Sequence, residues 1–289
     1  MEMKIAHLIL THKSPKQLER LIVALDHSGF DFYIHLDKKV NADPFLYLAN
    51  KGNVFFIKER AKIYWAGYGT IQATINGFEE IIRTGKYDYI NVISGQDFPI
   101  KPAHYIFNYI NSKKGNEFIT CESLEREWKE ALPRVRKYHL INWNIPGRFR
   151  LEKIANAFLP EREFPLDFQL VGRANWFTLT TGACAYILEF LNKHPEVNRF
   201  FKYSWGADEI IFSTVLFNSS YQKNITDNLV YVDWTGQKHG HPRILTIADL
   251  DKLKCSDKLF ARKFDSEKDN EIIVKLEEFI NEKNVLADN

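Results

Sequence analysis

The first hundred residues constrain the fold most strongly, because short apolar runs alternate there with amphipathic helical patterns. Ile5–Leu10 (IAHLIL) reads as a buried strand. It ends at Thr11-His12-Lys13-Ser14-Pro15, a turn and helix-start signal. Leu18, Leu21, Ile22 and Leu25 follow at helical spacing. Phe32–Leu36 is a second strand, ending at Asp37-Lys38-Lys39, and Val54–Ile57 a third. Thr70–Thr84 carries Ile71, Ile75, Phe78, Ile81 and Ile82 as an amphipathic helix. Tyr89–Ile93 is a fourth strand and runs into Ser94-Gly95-Gln96-Asp97. Strands separated by helices predict an α/β fold with a mainly parallel central sheet flanked by helices. Ligands bind at the carboxyl ends of such strands, where Asp37 and the Ser94–Asp97 loop would lie.

The pattern changes over residues 121–170. Charged and aromatic residues crowd together there without a clean period (ESLEREWKE, RVRKYH, NWNIPGRFR), which predicts an irregular excursion from the sheet. Order returns with a strand at Trp176–Thr180 and helices at Ala183–Lys193 and Ala207–Phe217. A late strand, Leu229–Val232, and a charged amphipathic helix, Glu271–Asn281, complete the chain. A single domain over 1–289 is expected, with 266–289 as its C-terminal helix.

Composition excludes several classes. The 39 Lys and Arg nearly balance the 37 Asp and Glu, for a net charge of +2, so nucleic acid is not an expected partner. The 45% hydrophobic content excludes a disordered chain. Cys121, Cys184 and Cys255 lie far apart without a CxxC, which suggests reduced intracellular thiols rather than zinc or disulfides. Ile5–Leu10 is too short for a signal-peptide core, and no apolar run reaches membrane-spanning length. A cytoplasmic protein is therefore expected, with peripheral association at the inner face of the membrane left open. Aromatics reach 14%, serving either as core filler or as flat platforms for a ring.

Motif absences narrow the choice further. There is no phosphate-binding G-x-x-x-x-G-K-[ST], no G-x-S-x-G and no H-E-x-x-H. Gly67-Tyr68-Gly69 fails as a dinucleotide fingerprint, since Gln72 occupies the third glycine position. Asp249-Leu250-Asp251 matches a metal-binding D-x-D, but it falls in a helical pattern where successive carboxylates point apart. His239-Gly240-His241 lacks a third ligand.

Six segments in order carry a resemblance: HLDKK (35–39), YWAGYGTIQA (64–73), YINVISGQDFPIK (89–101), ANWFTLT (174–180), ADEIIFSTVL (207–216) and the stretch from YVDW to SDKLFARKFD (231–265). Together they resemble the core-2/I-branching β-1,6-N-acetylglucosaminyltransferase family (glycosyltransferase family 14), to which peptide O-xylosyltransferases are related. The long eukaryotic stem and disulfide set are missing, so a compact bacterial member is expected. The resemblance implies a GT-A-type fold with a Rossmann-like sheet, a UDP-sugar donor, a glycan acceptor, inversion, and neither metal nor cofactor. It makes 1–120 the nucleotide-binding half, 121–170 the acceptor side, and 171–265 the catalytic and diphosphate-binding half.

Inverting transfer needs a base for the acceptor hydroxyl and positive charge for the departing diphosphate. Glu209 is the candidate base, beside Asp208 at an expected helix start whose dipole favours the ionised form. The bland alternative is that these acids only complement that dipole; the resemblance places the catalytic Glu at Glu209. It likewise puts the diphosphate on Arg243 and Lys263 and the nucleoside near Asp37, each of which could otherwise be a solvated or turn-forming residue. Trp65, Asn175, Trp176 and Asp208 are expected on the sugar and acceptor side, where aromatics pack on C–H faces and amides meet hydroxyls. Related xylosyltransferases carry an acid where Asn175 stands. UDP-GlcNAc is the expected donor, UDP-xylose the nearest alternative. A non-catalytic glycan-binding module of the same fold is the rival reading.

Overall fold

The N-terminal apolar run forms β1 (Ile5–Thr11), buried at every position, in a computed structural model that describes residues 3–143, 145–237 and 240–287. The other strands, in chain order, are β2 (Phe30–Leu36), β3 (Val54–Phe56), β4 (Tyr89–Ser94), β5 (Asp97–Pro99), β6 (Glu117–Phe118), β7 (Glu122–Ser123), β8 (Val171–Gly172), β9 (Phe177–Thr180), β10 (Ile225–Thr226), β11 (Val230–Val232) and β12 (Phe260–Arg262). Seven of them make one sheet in the order β10-β6-β9-β4-β1-β2-β3. β1 is flanked in parallel by β2 and β4, with Leu8 level with both Tyr33 and Val92. β3 extends the parallel set, whereas β9 runs antiparallel to β4 and β6. The expected α/β class with a mainly parallel sheet is thus observed.

Both faces of β1 are covered, which is why its sequence is nearly continuous in apolar residues rather than alternating. Ile5 and Ile9 join the core built with Leu18, Leu21, Ile106 and Leu276. Ala6, Leu8 and Leu10 face the opposite core, built with Ile71, Phe78, Ile187 and Phe212. Each fully buried side chain of this size contributes roughly 1.5–3 kcal/mol. The helices supplying them span Pro15–Ala24, Ala103–Ser112 and Glu271–Ala287 on one face, and Gly69–Arg83, Thr181–Lys193 and Ile211–Phe217 on the other.

A smaller sheet of order β11-β12-β5 caps the carboxyl ends of β1 and β4. Its antiparallel register sets Arg262 opposite Asp97. Gln17 fastens the arrangement by donating to the carbonyls of Gly95 and Phe264 and accepting from the Ser266 amide.

Two local expectations need correction. The helix expected over Ala207–Phe217 is broken: Ala207–Glu209 form a single 3-10 turn, and the α-helix begins at Ile211. Ile210, at φ −126°, interrupts the helical path. The 121–170 excursion is also less irregular than expected, since it holds a helix of 11 residues, Arg148–Phe158. Its periodicity escapes a core-seeking reading because it buries no residue. Glu152 and Asn156 turn inward instead, bonding the Leu140 amide and both polar backbone groups of Tyr138.

Candidate active site

The site candidates gather where the small sheet meets the main one. Glu209 is held by close packing from below. The Arg173 amide donates to its carbonyl at 3.0 Å. A methyl on Gly172 would meet that same carbonyl oxygen well inside van der Waals contact, so β8 needs glycine for the Glu209 turn to lie against it. Gly206, at φ +61°, opens the turn and donates its amide to the Ala66 carbonyl at 2.8 Å. Glu209 is thereby fixed relative to the loop that carries Trp65.

The Glu209 carboxylate accepts a bond from Arg134 Nη1 at 2.7 Å, and both side chains are 23% exposed. The Arg134 guanidinium lies over the rings of Trp128 and Trp205, 4.9 and 4.5 Å from their centroids. Trp205 meets Trp65 edge to face at 5.1 Å. Trp65 itself is 53% exposed and leans against His241. An aromatic wall therefore runs from the open surface to the Glu209–Arg134 pair.

Asp208 accepts a bond from Asn175 Nδ2 at 2.9 Å. Asn175 Oδ1 is buried without a hydrogen-bond partner. Burial raises the pKa of both Asp208 and Glu209. The charge of Glu209 raises Asp208 further, whereas Arg134 pulls Glu209 back down. The same burial thus acts on both acids, while their neighbours act in opposite senses, Glu209 on Asp208 and Arg134 on Glu209.

Arg262 links these acids to the cation side. Its guanidinium stacks over Trp176, 4.6 Å from the ring centroid, and its Nε faces Asp97 at 3.6 Å. Asp208 and Glu209 are near enough to favour its charged form against the cost of burial. Asp97 is fully buried and accepts from the Ser94 amide and hydroxyl, so it braces its loop. One face of Trp176 is accordingly covered by Arg262.

Lys263 follows directly. Burial lowers its pKa, and the charges of Arg262 and Lys13 lower it further. Its carbonyl accepts from the Leu245 amide at 2.8 Å, tying the end of β12 to the irregular segment 241–245, whose His241 packs on Trp65. His12 lies among Lys13, Lys263, Asp37 and Lys39, and burial, reinforced by those cations, holds it below its usual range. Lys13, Lys39 and Lys263 thus gather at the carboxyl end of β1, with Lys13 paired to Asp265 at 2.8 Å and Lys39 to Asp37 at 3.4 Å.

Arg243 is more constrained than Lys263. It donates to both oxygens of Asp249, at 2.9 and 2.6 Å, and to Asp233 at 2.6 Å. Asp249 is also engaged with Thr246 in a capping box, while Asp251 is exposed on the next helix. The two acids of D-x-D are therefore not brought together. Among the described residues there is no group of three or more His, Cys, Asp or Glu side chains that could hold a metal. His239 lies outside the described residues. Asp37 is buried, with Oδ1 accepting from the Lys39 and Ile63 amides. It holds the 61–65 loop against the end of β2.

Sequence reasoning missed Arg134, Trp205, Arg262, Lys13 and Lys39. Arg262 had a signal, its place beside Lys263 in the quoted RKFD segment; Arg134 had none, being 75 residues from Glu209. Cys121, Cys184 and Cys255 are all free thiols, and no helix among the described residues is long and apolar enough to cross a membrane.

Residues 5–254 match the family described as Core-2/I-Branching enzyme. Xylosyltransferase 2 of Rattus norvegicus is 23% identical over 304 residues, covering 93% of this chain and 33% of that protein. Beta-glucuronosyltransferase GlcAT14A of Arabidopsis thaliana is 25% identical over 268 residues, covering 86% and 58%. The chain thus spans about a third of the xylosyltransferase's length. Mouse xyloside xylosyltransferase 1 is similar in structure, with a TM-score of 0.43 at 10% identity over 90% of this chain and 97% of that one.

Proposed function

The chain belongs to the Core-2/I-branching enzyme family, and from that premise we propose that it is an inverting glycosyltransferase using a UDP-sugar. The GT-A-type α/β architecture implied by the resemblance agrees with the observed strand order. In the proposed reaction, an acceptor hydroxyl oxygen bonds to the anomeric carbon while the carbon–oxygen bond to UDP breaks. UDP leaves with that electron pair, and Glu209 takes the hydroxyl proton. The observation that carries this reading is the Glu209 carboxylate, held by Arg134 at 2.7 Å beside an open aromatic wall. Trp65 and Trp205 would seat the acceptor ring. Asp208 and Asn175 would meet sugar hydroxyls through the free acceptor of Asn175. Asp37 would act on the nucleoside through the loop it holds.

Positive charge from Lys263, with Arg262 and Lys13 nearby, would stabilise the diphosphate without a metal. Arg243 would add directed N–H donors rather than net charge, because Asp233 and Asp249 already face it. UDP-GlcNAc is the first donor proposed, from the family resemblance. UDP-xylose is the second, favoured by the xylosyltransferases among the relatives. A panel of UDP-sugars with EDTA present, read by thermal shift and UDP release, tests donor and metal together. One sugar should raise the melting temperature and turn over. Activity that vanishes in EDTA and returns with manganese rejects the metal-free reaction, and stabilisation without any turnover favours the binding-module reading.

A further inference from the structure

The helix Arg148–Phe158 is amphipathic in the inverted sense. Its polar side chains Glu152 and Asn156 fix it to the protein. Leu151, Ile154 and Phe158, at i, i+3 and i+7, form one stripe, and they point outward with exposures of 47%, 56% and 84%. Phe149, Leu159, Ile145 and Trp143 extend the patch, each also exposed. A folded chain gains nothing from water on such a surface, and contiguous apolar patches of this kind mark interaction sites.

The charge around the stripe says what would cover it. Arg134 is turned to Glu209 in the site, and residues 135–153 carry five further Lys and Arg and a single acid, Glu152. That acid is turned inward on the Leu140 amide, while Lys137, Arg150 and Lys153 are exposed. Glu161, just beyond the helix, faces Arg136 at 3.8 Å. A second copy would bring this basic face against itself, and like charge would oppose the contact. An apolar stripe flanked by exposed Arg and Lys instead matches an anionic bilayer surface, where side chains enter the headgroup boundary and the cations meet lipid phosphates.

We propose that Arg148–Phe158 docks the protein on anionic lipid membranes. This gives the expected peripheral association a location and does not depend on the donor or the reaction. The patch is tied to the acceptor side of the site, since Asn142 accepts from the Tyr68 amide at 2.7 Å, three residues beyond Trp65. Docking would hold the aromatic wall close to acceptors carried at the membrane.

The test is flotation of the full chain with vesicles of phosphatidylcholine alone or of phosphatidylcholine with phosphatidylglycerol. The wild type should float with the mixed vesicles and release at high salt. Leu151→Ser/Ile154→Ser/Phe158→Ser should bind about tenfold more weakly or worse, and Arg150→Glu/Lys153→Glu should lose the preference for phosphatidylglycerol. The second variant leaves the stripe unchanged and guards against a folding defect in the first. The proposal is overturned if the wild type stays at the bottom of the gradient, if both variants float like it, or if the stripe proves to hold a dimer that the triple variant dissociates.

Discussion

Replacing Arg134 by Met would remove the charge beside Glu209 and keep an unbranched stem between Trp128 and Trp205. The nitrogen and oxygen are 2.7 Å apart, so the charge centres lie at about 4 Å, worth about 4 kcal/mol at an effective dielectric constant near 20. Both groups are 23% exposed, and solvent reduces that figure to about 1–3 kcal/mol, between exposed and buried pairs. At 1.36 kcal/mol per unit, the Glu209 pKa should rise by about one to two units. Burial already raises it. A base works only when deprotonated, so the acid limb of kcat/KM should move to higher pH by that amount. Below the wild-type acid limb, activity should fall by about tenfold to a hundredfold, and it should recover substantially in alkaline buffer. The assay is UDP release across a pH series. An unmoved acid limb, or a loss that alkaline buffer does not relieve, would refute the electrostatic role of Arg134.

Three further outcomes follow from the geometry. Gly172→Ala should push the Glu209 turn aside and cost about a hundredfold in turnover, while UDP still raises the melting temperature; unchanged turnover would disprove the close approach. Arg243→Ala should destabilise the fold by about 2–4 kcal/mol, because Asp233 and Asp249 lose a shared cation in a nearly buried site. Calorimetry would read this, and an unshifted melting temperature would show that the trio is not structural. Asp208 has its folded pKa raised from 3.8 to about 7, by burial and then by Glu209. Its protonated form therefore contributes stability that is fully present below the unfolded value and is lost as pH rises through the folded one. Asp208→Asn should gain in melting temperature relative to wild type across that window, and a flat difference would contradict the assignment.

The parallel half of the sheet was legible because both faces of β1, β2 and β4 are covered, which leaves unbroken apolar runs such as IAHLIL. Its helices were legible from one-sided stripes. The Arg148–Phe158 helix was not, because its stripe faces away from the core and its inward face is polar. The break at Ile210 was hidden because Ala207–Phe217 has unbroken helical periodicity, whereas the carbonyl of Glu209 is taken by Arg173. At the site, acids and cations in family segments could be named from sequence. Their neighbours could not: the Glu209–Arg134 contact depends on where the excursion lands, and the pairing of Arg262 with Asp97 on the register of two short strands. The neutralisation of Arg243 was equally invisible, since Asp233 and Asp249 look like ordinary loop and helix acids until the chain turns back.

The central claim is that Glu209 accepts the acceptor's proton. Glu209→Gln keeps the side-chain shape and one acceptor for Arg134 but removes the basicity. With the donor identified, transfer by the Gln variant should fall by at least about a thousandfold, while UDP should still stabilise the fold as it does the wild type. Near-normal transfer by the Gln variant would contradict the account.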